Sequence, residues 1–335
     1  MAVGQSNGAA PASGGRLDLE RAWSLLCGLA ERAHQGRPVE RAGGLTVRGD
    51  GGAVEVAAGS PDAWIVARPE APSGWSWPEP DQAATDPQGG IGERGRGRGD
   101  AGDVETLLDL YMPLCVGASA ARMVVGHLAQ SLDGRIATES GASQFISGQA
   151  DLEHAHRMRA LFDAVVVGAG TVEKDDPRLT TRLVPGTHAT RVVIDPQRRL
   201  SDGYSMFQDG EAPTLVICAA SAGGAAVDAR HGRAEVIAIA GGDERGALPV
   251  ASILEALHAR GLHRIFIEGG GVTLSRFLAA GALDRLHVAV APCILGSGRA
   301  AFSLPIIEQL SEAIAFECRH FALGPDILFD CALRR

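Results

Sequence analysis

The sequence predicts an α/β protein in which a mixed, mostly parallel sheet is covered by helices on both faces. Three observations predict it. From about residue 104 onward, apolar runs of strand length alternate with segments of helical period. Several of the runs, such as AVVV and VVI, are continuously apolar, as buried strands are. The last stretch, AFECRHFALGPDILFDCALR, folds back at a Gly-Pro-Asp turn, and an antiparallel hairpin there makes the sheet mixed.

Along the chain, residues 1–15 are small and polar and read as a disordered tail. LDLERAWSLLCGLAERA has helical spacing, and AVEVAAG and AWIVARP are short strand-like pieces, so residues 1–70 form an N-terminal extension of unknown role. All four tryptophans (Trp23, Trp64, Trp75 and Trp77) fall before residue 78. Residues 71–103 repeat Gly and Pro without an apolar period and read as a linker, which makes the extension an independent unit. The domain proper then spans residues 104–335. VETLLDLYMPLC opens it as a helix, and MVVGHLAQSL follows as a strand. DLEHAHRMRALF is a helix and DAVVVG a buried strand. RVVID, PTLVIC and EVIAIA are further strands. SILEALHARG is an amphipathic helix ending at glycine. RIFIEGG enters a glycine turn, VTLSRFLAAGALD is a helix, and RLHVAVAP precedes the closing hairpin.

The bulk properties narrow the function. The 335 residues carry a formal charge of −9, which argues against a nucleic-acid partner. Six scattered cysteines without a CxxC pair fit reduced thiols rather than a disulfide framework. No secretory signal and no 18-residue apolar run is present, so a cytoplasmic protein without a membrane partner is expected. No zinc-deaminase signature and no GxSxG occurs. His154 and His156 stand two apart on a helix, a poor spacing for ligands, so no metal site is expected.

Three stretches can carry chemistry. DAVVVGAGTVEKDDP ends a buried strand in small residues, then supplies Thr171, Asp175 and Asp176 before Pro177. IEGGGVTLSRF places Glu268 at a strand's carboxyl end, then three glycines, then a helix. Unpaired N–H groups at a helix start attract anions, and glycines admit a pyrophosphate. It is neither a GxGxxG fingerprint nor a Walker loop, and from the residues alone a plain turn is equally open. SLDGRIATESGASQFISG is a strand end and polar loop with Ser131, Asp133, Arg135, Ser143 and Gln144. Arg159 and Arg182 flank the acidic stretch. An arginine fork suits a phosphate, although a surface ion pair is the commoner use of a single arginine.

Taken in order, SLDGRIATESGASQFISG, HRMRALFDAVVVGAGTVEKDDPRLTTR, RVVIDPQRRL and IFIEGGGVTLSRFLAAGALDRLHVAVAPCILGSGR resemble the reductase domain of bacterial riboflavin-biosynthesis proteins. The resemblance runs from about residue 122 to 335. It implies the three-layer α/β/α fold of the dihydrofolate-reductase-like superfamily, with NADPH across the carboxyl ends of the strands and, as in that family, a homodimer. It also implies that hydride passes to ribose C1′ of 5-amino-6-(5-phosphoribosylamino)uracil, a phosphorylated small-molecule substrate, converting ribosyl to ribityl. By matching motifs, the cofactor would meet Ala129, Phe145, Gly170, Thr171, Asp175, Asp195, Gly269, Gly270, Gly271, Val272 and Thr273. The substrate would meet Ser143, Arg159, Leu179 and Arg182, with Glu268 and Asp175 as catalytic carboxylates. Arg198 and Arg199 are placed to meet a 2′-phosphate, and Asp176 to cap the turn.

The chain departs from the family pattern in three places. The deaminase zinc ligands are absent from the first 120 residues, Phe145 stands where tryptophan is frequent, and the turn reads GGGVTL where GGPTL is usual. Two alternatives remain open on the sequence. One is a same-fold reductase of another pterin, folate or ribosylated aromatic substrate. The other is a non-catalytic nucleotide-binding protein, against which the convergence of Asp175, Arg159, Arg182 and Glu268 speaks.

Overall fold

The computed structural model describes residues 19–35, 43–47, 54–58, 104–116, 121–143, 146–222, 230–242 and 246–333. Helix α1 (Leu19–His34) is followed by strands β1 (Gly43–Val47) and β2 (Val54–Ala58), which pair antiparallel. The expected strand AWIVARP, the tail and the 71–103 linker lie outside the described residues.

The domain then runs α2 (Val104–Cys115), β3 (Met123–Ser131), β4 (Arg135–Ala137), α3 (Gln149–Leu161), β5 (Ala164–Gly168), α4 (Ala169–Asp175) and β6 (Thr190–Ile194). It continues through α5 (Ser205–Gln208), β7 (Thr214–Ala219), β8 (Arg230–His231), β9 (Ala234–Ile239), α6 (Val250–His258), β10 (Arg264–Glu268) and α7 (Gly271–Ala279). Strands β11 (Arg285–Ala291), β12 (Arg299–Ala300), β13 (Glu317–Leu323) and β14 (Asp326–Ala332) complete it. Ten strands form one sheet in the order β13-β14-β11-β3-β10-β5-β6-β7-β9-β8. The seven from β11 to β9 are mutually parallel, and antiparallel pairs close both edges. The mixed, mostly parallel sheet is as the sequence predicts. Short β4 and β12, which pair with each other, and β8 were too brief to be read from apolar pattern.

Successive residues of the central strands alternate between two cores, as the pleat demands. Val125, Val165, Val167 and Phe266 face α1, α2 and α3, packing with Leu26, Leu29, Leu110 and Met158. Val124, Val166, Ile265 and Ile267 face α6 and α7, packing with Ile253, Leu257, Leu274 and Phe277. These are the three layers. Every strand from β11 to β9 needs apolar residues on both faces, which explains why AVVV and VVI show no polar alternation.

The N-terminal helix is part of this packing, which corrects the expectation of an independent unit. Trp23, Leu25, Leu26 and Leu29 are buried in the α2–α3 core. The Trp23 indole N–H donates to the Pro185 carbonyl at 2.7 Å, and its ring meets Tyr111 edge-on at 5.9 Å. At the helix's other end, His34 Nδ1 lies 2.7 Å from Asp163 Oδ1. The second oxygen of Asp163 accepts the backbone N–H groups of His263 and Arg264, both at 2.8 Å. The apolar stripe of α1 therefore finds its cover on the domain, across the intervening polar stretch.

Candidate active site

The parallel strands β3, β10, β5 and β6 end on the same edge of the sheet, where α/β proteins build their sites. Two neighbouring strands, β5 and β10, each run directly into a helix. Gly168 leads into α4 and Gly270 into α7, so two helix starts lie side by side. Gly269 and Gly270 have φ of 65° and 72°, a left-handed pair in which glycine is the residue without steric cost. A Cβ on Gly270 would stand 3.0 Å from Thr171 Oγ1, and one on Gly168 would collide with Thr273 Oγ1. Both hydroxyls thus line the crevice between the helix starts. A Cβ on Gly170 would meet only open space, and Val272, on the first turn of α7, is 68% exposed. Gly271 does something else: a side chain there would strike the Ala301 carbonyl, so this glycine lets α7 pack against the 299–301 segment rather than face a ligand.

Residues 169–175 form a short helix that the sequence pattern does not announce. Asp175 is its last residue. It is exposed, has no hydrogen-bond partner among the described residues, and its carboxyl sits above the usual range through partial desolvation. Asp176 takes φ of 38°, and its carboxylate accepts the backbone N–H (2.8 Å) and the hydroxyl (2.6 Å) of Ser205. It therefore fastens the start of α5 to the end of α4.

Glu268 ends β10 on the α3 face. Arg159, from the last turn of α3, reaches it with two nitrogens: Nε donates to Oε2 at 2.7 Å, and Nη2 donates to Oε1. Arg159 Nη1 donates to the Thr180 carbonyl at 3.0 Å. The fork of Arg159 is engaged by Glu268 and orients that carboxylate, which brings these two expected substrate-side residues together. Leu179 is no substrate contact by its side chain: with φ of 54° it turns inward and is 2% exposed in the α3-side core. Asp195 is fully buried and holds the β6 turn by accepting the Leu200 N–H at 3.0 Å, so its carboxylate does not reach a cofactor. Arg199 pairs with Glu173 at 2.6 Å on the surface, and Arg198 takes φ of 49° in the turn after β6.

Arg182 keeps its guanidinium at the surface. Among the described residues its guanidinium bonds the Thr180 hydroxyl, at 2.6 Å, and partial burial, helped by the nearby cations Arg159 and Arg178, lowers its pKa. His156 holds the loop beneath it: Nδ1 accepts the backbone N–H of Arg182 at 2.7 Å and of Leu183 at 3.3 Å. Burial and the neighbouring arginines push His156 down to about 4, so the ring is neutral and free to accept. Ser143 is half-buried on the loop after β4; Gln144 and Phe145 lie outside the described residues. Ala129 is half-buried near the end of β3.

A buried polar chain under α3 was not legible in the sequence. His127 on β3, in register with Glu268, bonds Asp151 at 2.9 Å, and Asp151 accepts the Ser147 hydroxyl at 2.7 Å. Burial alone would lower His127, but the Asp151 carboxylate more than offsets it and raises the ring's pKa. His154 joins Tyr111 (2.7 Å) to His287 (3.1 Å), and His287 reaches Asp330 at 3.2 Å. The pattern of β3 puts His127 at an inward position, but a partner 24 residues away leaves no trace in spacing.

Fold and edge together define an α/β oxidoreductase of the dihydrofolate-reductase-like class. The chain belongs to the RibD C-terminal domain family, whose pattern matches residues 111–329. It is 37% identical over 218 residues to the 2,5-diamino-6-ribosylamino-4(3H)-pyrimidinone 5′-phosphate reductase of Methanothermobacter thermautotrophicus, covering 63% of this chain and 98% of that one. It is 35% identical over 171 residues to the riboflavin biosynthesis protein RibD of Aquifex aeolicus, covering 51% of this chain but 46% of that one. Among solved structures, the diaminohydroxyphosphoribosylaminopyrimidine deaminase/5-amino-6-(5-phosphoribosylamino)uracil reductase of Thermotoga maritima superposes with a TM-score of 0.52 at 28% identity, over 69% of this chain and 61% of that one.

Proposed function

We propose that this chain is an NADPH-dependent reductase of riboflavin biosynthesis, converting the ribosyl group of a ribosylaminopyrimidine 5′-phosphate to ribityl. The carrying observation is the convergence on one sheet edge of a paired helix-start crevice, the Arg159-held carboxylate of Glu268 and the exposed cation of Arg182.

The crevice fits a dinucleotide pyrophosphate. Left-handed Gly269 and Gly270 open the backbone, Thr171 and Thr273 offer hydroxyls, and the α7 start presents unpaired N–H groups. When bound there, NADPH supplies hydride from nicotinamide C4. Glu268 accepts hydrogen bonds from the ribose hydroxyls and steers the proton that reaches the ring oxygen as C1′ is freed for reduction. Arg159 keeps that carboxylate aimed. Arg182 takes the 5′-phosphate, with Ser143 a second donor. Asp175, with its raised carboxyl, faces the cofactor side. Arg198 and Arg199 favour NADPH over NADH; the exposed Glu173 partner of Arg199 is weakly held and yields to a 2′-phosphate. Exposed Ile294, Ile306 and Leu310 (70%, 97% and 92%) support a homodimer. No helix among the described residues is long and apolar enough to cross a membrane, and we place the reaction in the cytoplasm.

The sequence pointed to the uracil form of the substrate. The relative that this chain spans almost end to end carries the name of the 2,5-diamino form, and that observation favours it. The test is NADPH oxidation by the purified chain with each form and with dihydrofolate. Turnover of either phosphorylated pyrimidine upholds the reading, and turnover of dihydrofolate alone removes it.

A further inference from the structure

The outer hairpin carries two thiols that the proposed reaction does not use. In the β13–β14 ladder Cys318 lies directly opposite Cys331. Their Sγ atoms are 3.2 Å apart. A disulfide requires ~2.05 Å, so about 1.2 Å of side-chain movement separates the pair from a bond, and the backbone is already in place. The two differ in access. Cys318 is exposed on the edge strand, whereas Cys331 is 4% exposed against the α6–α7 core.

They differ in charge as well. The Cys331 thiol, donating to Cys318, holds Cys318 below the ordinary thiol range; Arg319 and Arg285 assist, against burial and Asp330. Cys331 is raised, first by Cys318 itself and then by burial. The accessible sulfur is therefore the better thiolate, and its neighbour is held protonated chiefly by the hydrogen bond it gives Cys318, then by burial.

We propose that Cys318 and Cys331 are a reversible dithiol–disulfide couple, oxidised by low-molecular-weight disulfides, with Cys318 attacking and Cys331 resolving. The Cys318 thiolate attacks one sulfur of RSSR, forming a mixed disulfide and expelling RS⁻. Capping removes the Cys318 thiolate that accepts this hydrogen bond, and with it the main cause that keeps Cys331 protonated. Cys331 then gives its proton to the expelled thiolate and attacks Cys318 Sγ, releasing the second RS⁻. Two thiols and one RSSR become one protein disulfide and two RSH, the small disulfide being the two-electron oxidant. The bond closes the hairpin between residues 318 and 331 and staples the edge strand to the sheet.

The test uses the full chain in oxidised and reduced glutathione. Expected are loss of two hydrogens in intact mass, a Cys318–Cys331 peptide in a non-reducing digest, and reversal by dithiothreitol. Cys331→Ser should stop at a glutathione adduct on Cys318, and Cys318→Ser should form neither product. Oxidation should raise the wild-type Tm by a few degrees, and this rise should vanish in Cys318→Ser. A wild-type chain that stops at the glutathione adduct, or that links Cys318 of two copies, would overturn the proposal. None of these readouts depends on the reductase reading.

Discussion

Arg159 and Glu268, 109 residues apart in sequence, meet in a two-pronged ion pair that joins the last turn of α3 to the carboxyl end of β10. Both side chains are mostly shielded, at 9% and 17% exposure. A shielded pair of this kind is costly to break from one side, because the remaining charge loses its partner without regaining water.

Glu268→Gln should therefore act twice. It should lower kcat by ~10–100-fold, the scale of a proton-steering group, with NADPH affinity nearly unchanged. It should also cost about 1–3 kcal/mol of stability, since Arg159 keeps one hydrogen bond but loses the charge it faces. Kinetics and a melting curve measured together check both. A stability loss with full kcat would reduce Glu268 to a strut.

Arg182→Ala should raise KM for the phosphorylated substrate roughly ten- to a hundred-fold, the worth of ~1.5–3 kcal/mol for a charge-assisted phosphate contact. The side chain is exposed and, among the described residues, bonds only the Thr180 hydroxyl, so Tm should hold. Equal changes in KM and in the NADPH Kd would place Arg182 on the cofactor side instead.

Gly270→Ala should weaken NADPH binding by tenfold or more. Alanine at φ of 72° costs ~1–2 kcal/mol, and its Cβ crowds Thr171 at 3.0 Å. Gly170→Ala separates binding from folding. Its Cβ enters empty space in a helix, so stability should hold or rise by ~0.5–1 kcal/mol while NADPH affinity falls. Fluorescence titration of both variants reads the difference, and unaltered affinity in Gly170→Ala would take the cofactor off α4.

The pH dependence around His156 has a defined sign. Its folded pKa, about 4, lies below the unfolded value of 6.5, so the unfolded chain binds the extra proton between them. This group's contribution to stability therefore stays constant above ~6.5, declines as pH falls from there to ~4, and is flat below. In the folded chain the ring protonates only near pH 4, and this removes the acceptor for the Arg182 N–H, so KM should rise as pH approaches ~4 and not before. His156→Asn should flatten that part of both profiles.

Deleting residues 1–103 should destabilise the domain rather than leave it untouched, because it strips the buried Trp23, Leu25, Leu26 and Leu29 from the α2–α3 core. Trp23→Phe is the gentler probe. It keeps a ring but frees the Pro185 carbonyl on the Arg182 loop, with an expected cost of about 1–3 kcal/mol. Chemical denaturation measures both. A shortened chain as stable as the whole one would restore the independent extension.

The main sheet was legible because its strands are buried on both faces, which writes unbroken apolar runs such as AVVV and IFI into the chain. The glycine turn and Glu268 were legible for a related reason: a strand that stops at Gly-Gly before a helix is a local pattern. Helix α4 was missed because AGTVEKD is two turns long, opens on small residues and has no apolar period. Leu179 was misplaced because its left-handed backbone, just beyond Pro177, turns inward a residue that motif matching aims outward. The partners of Arg159 and Asp195 were not legible, because a sequence shows charge but not the distant group that meets it. The pairing of α1 with α2 and α3 crosses the whole linker and leaves no signature in either helix beyond an apolar stripe.

The alternation of β10 between the two cores makes the chemistry sensitive to the reading frame of five residues. Phe266 and Glu268 share one face, and Ile265 and Ile267 the other. A single-residue deletion in this strand would swing the carboxylate toward the α7 layer and bring an isoleucine up against Arg159. A two-residue insertion would restore the face but displace the carboxylate ~6.6 Å along the strand, beyond the guanidinium's grasp. Drift in this lineage can therefore proceed by exchange of side chains here, but not by change of length.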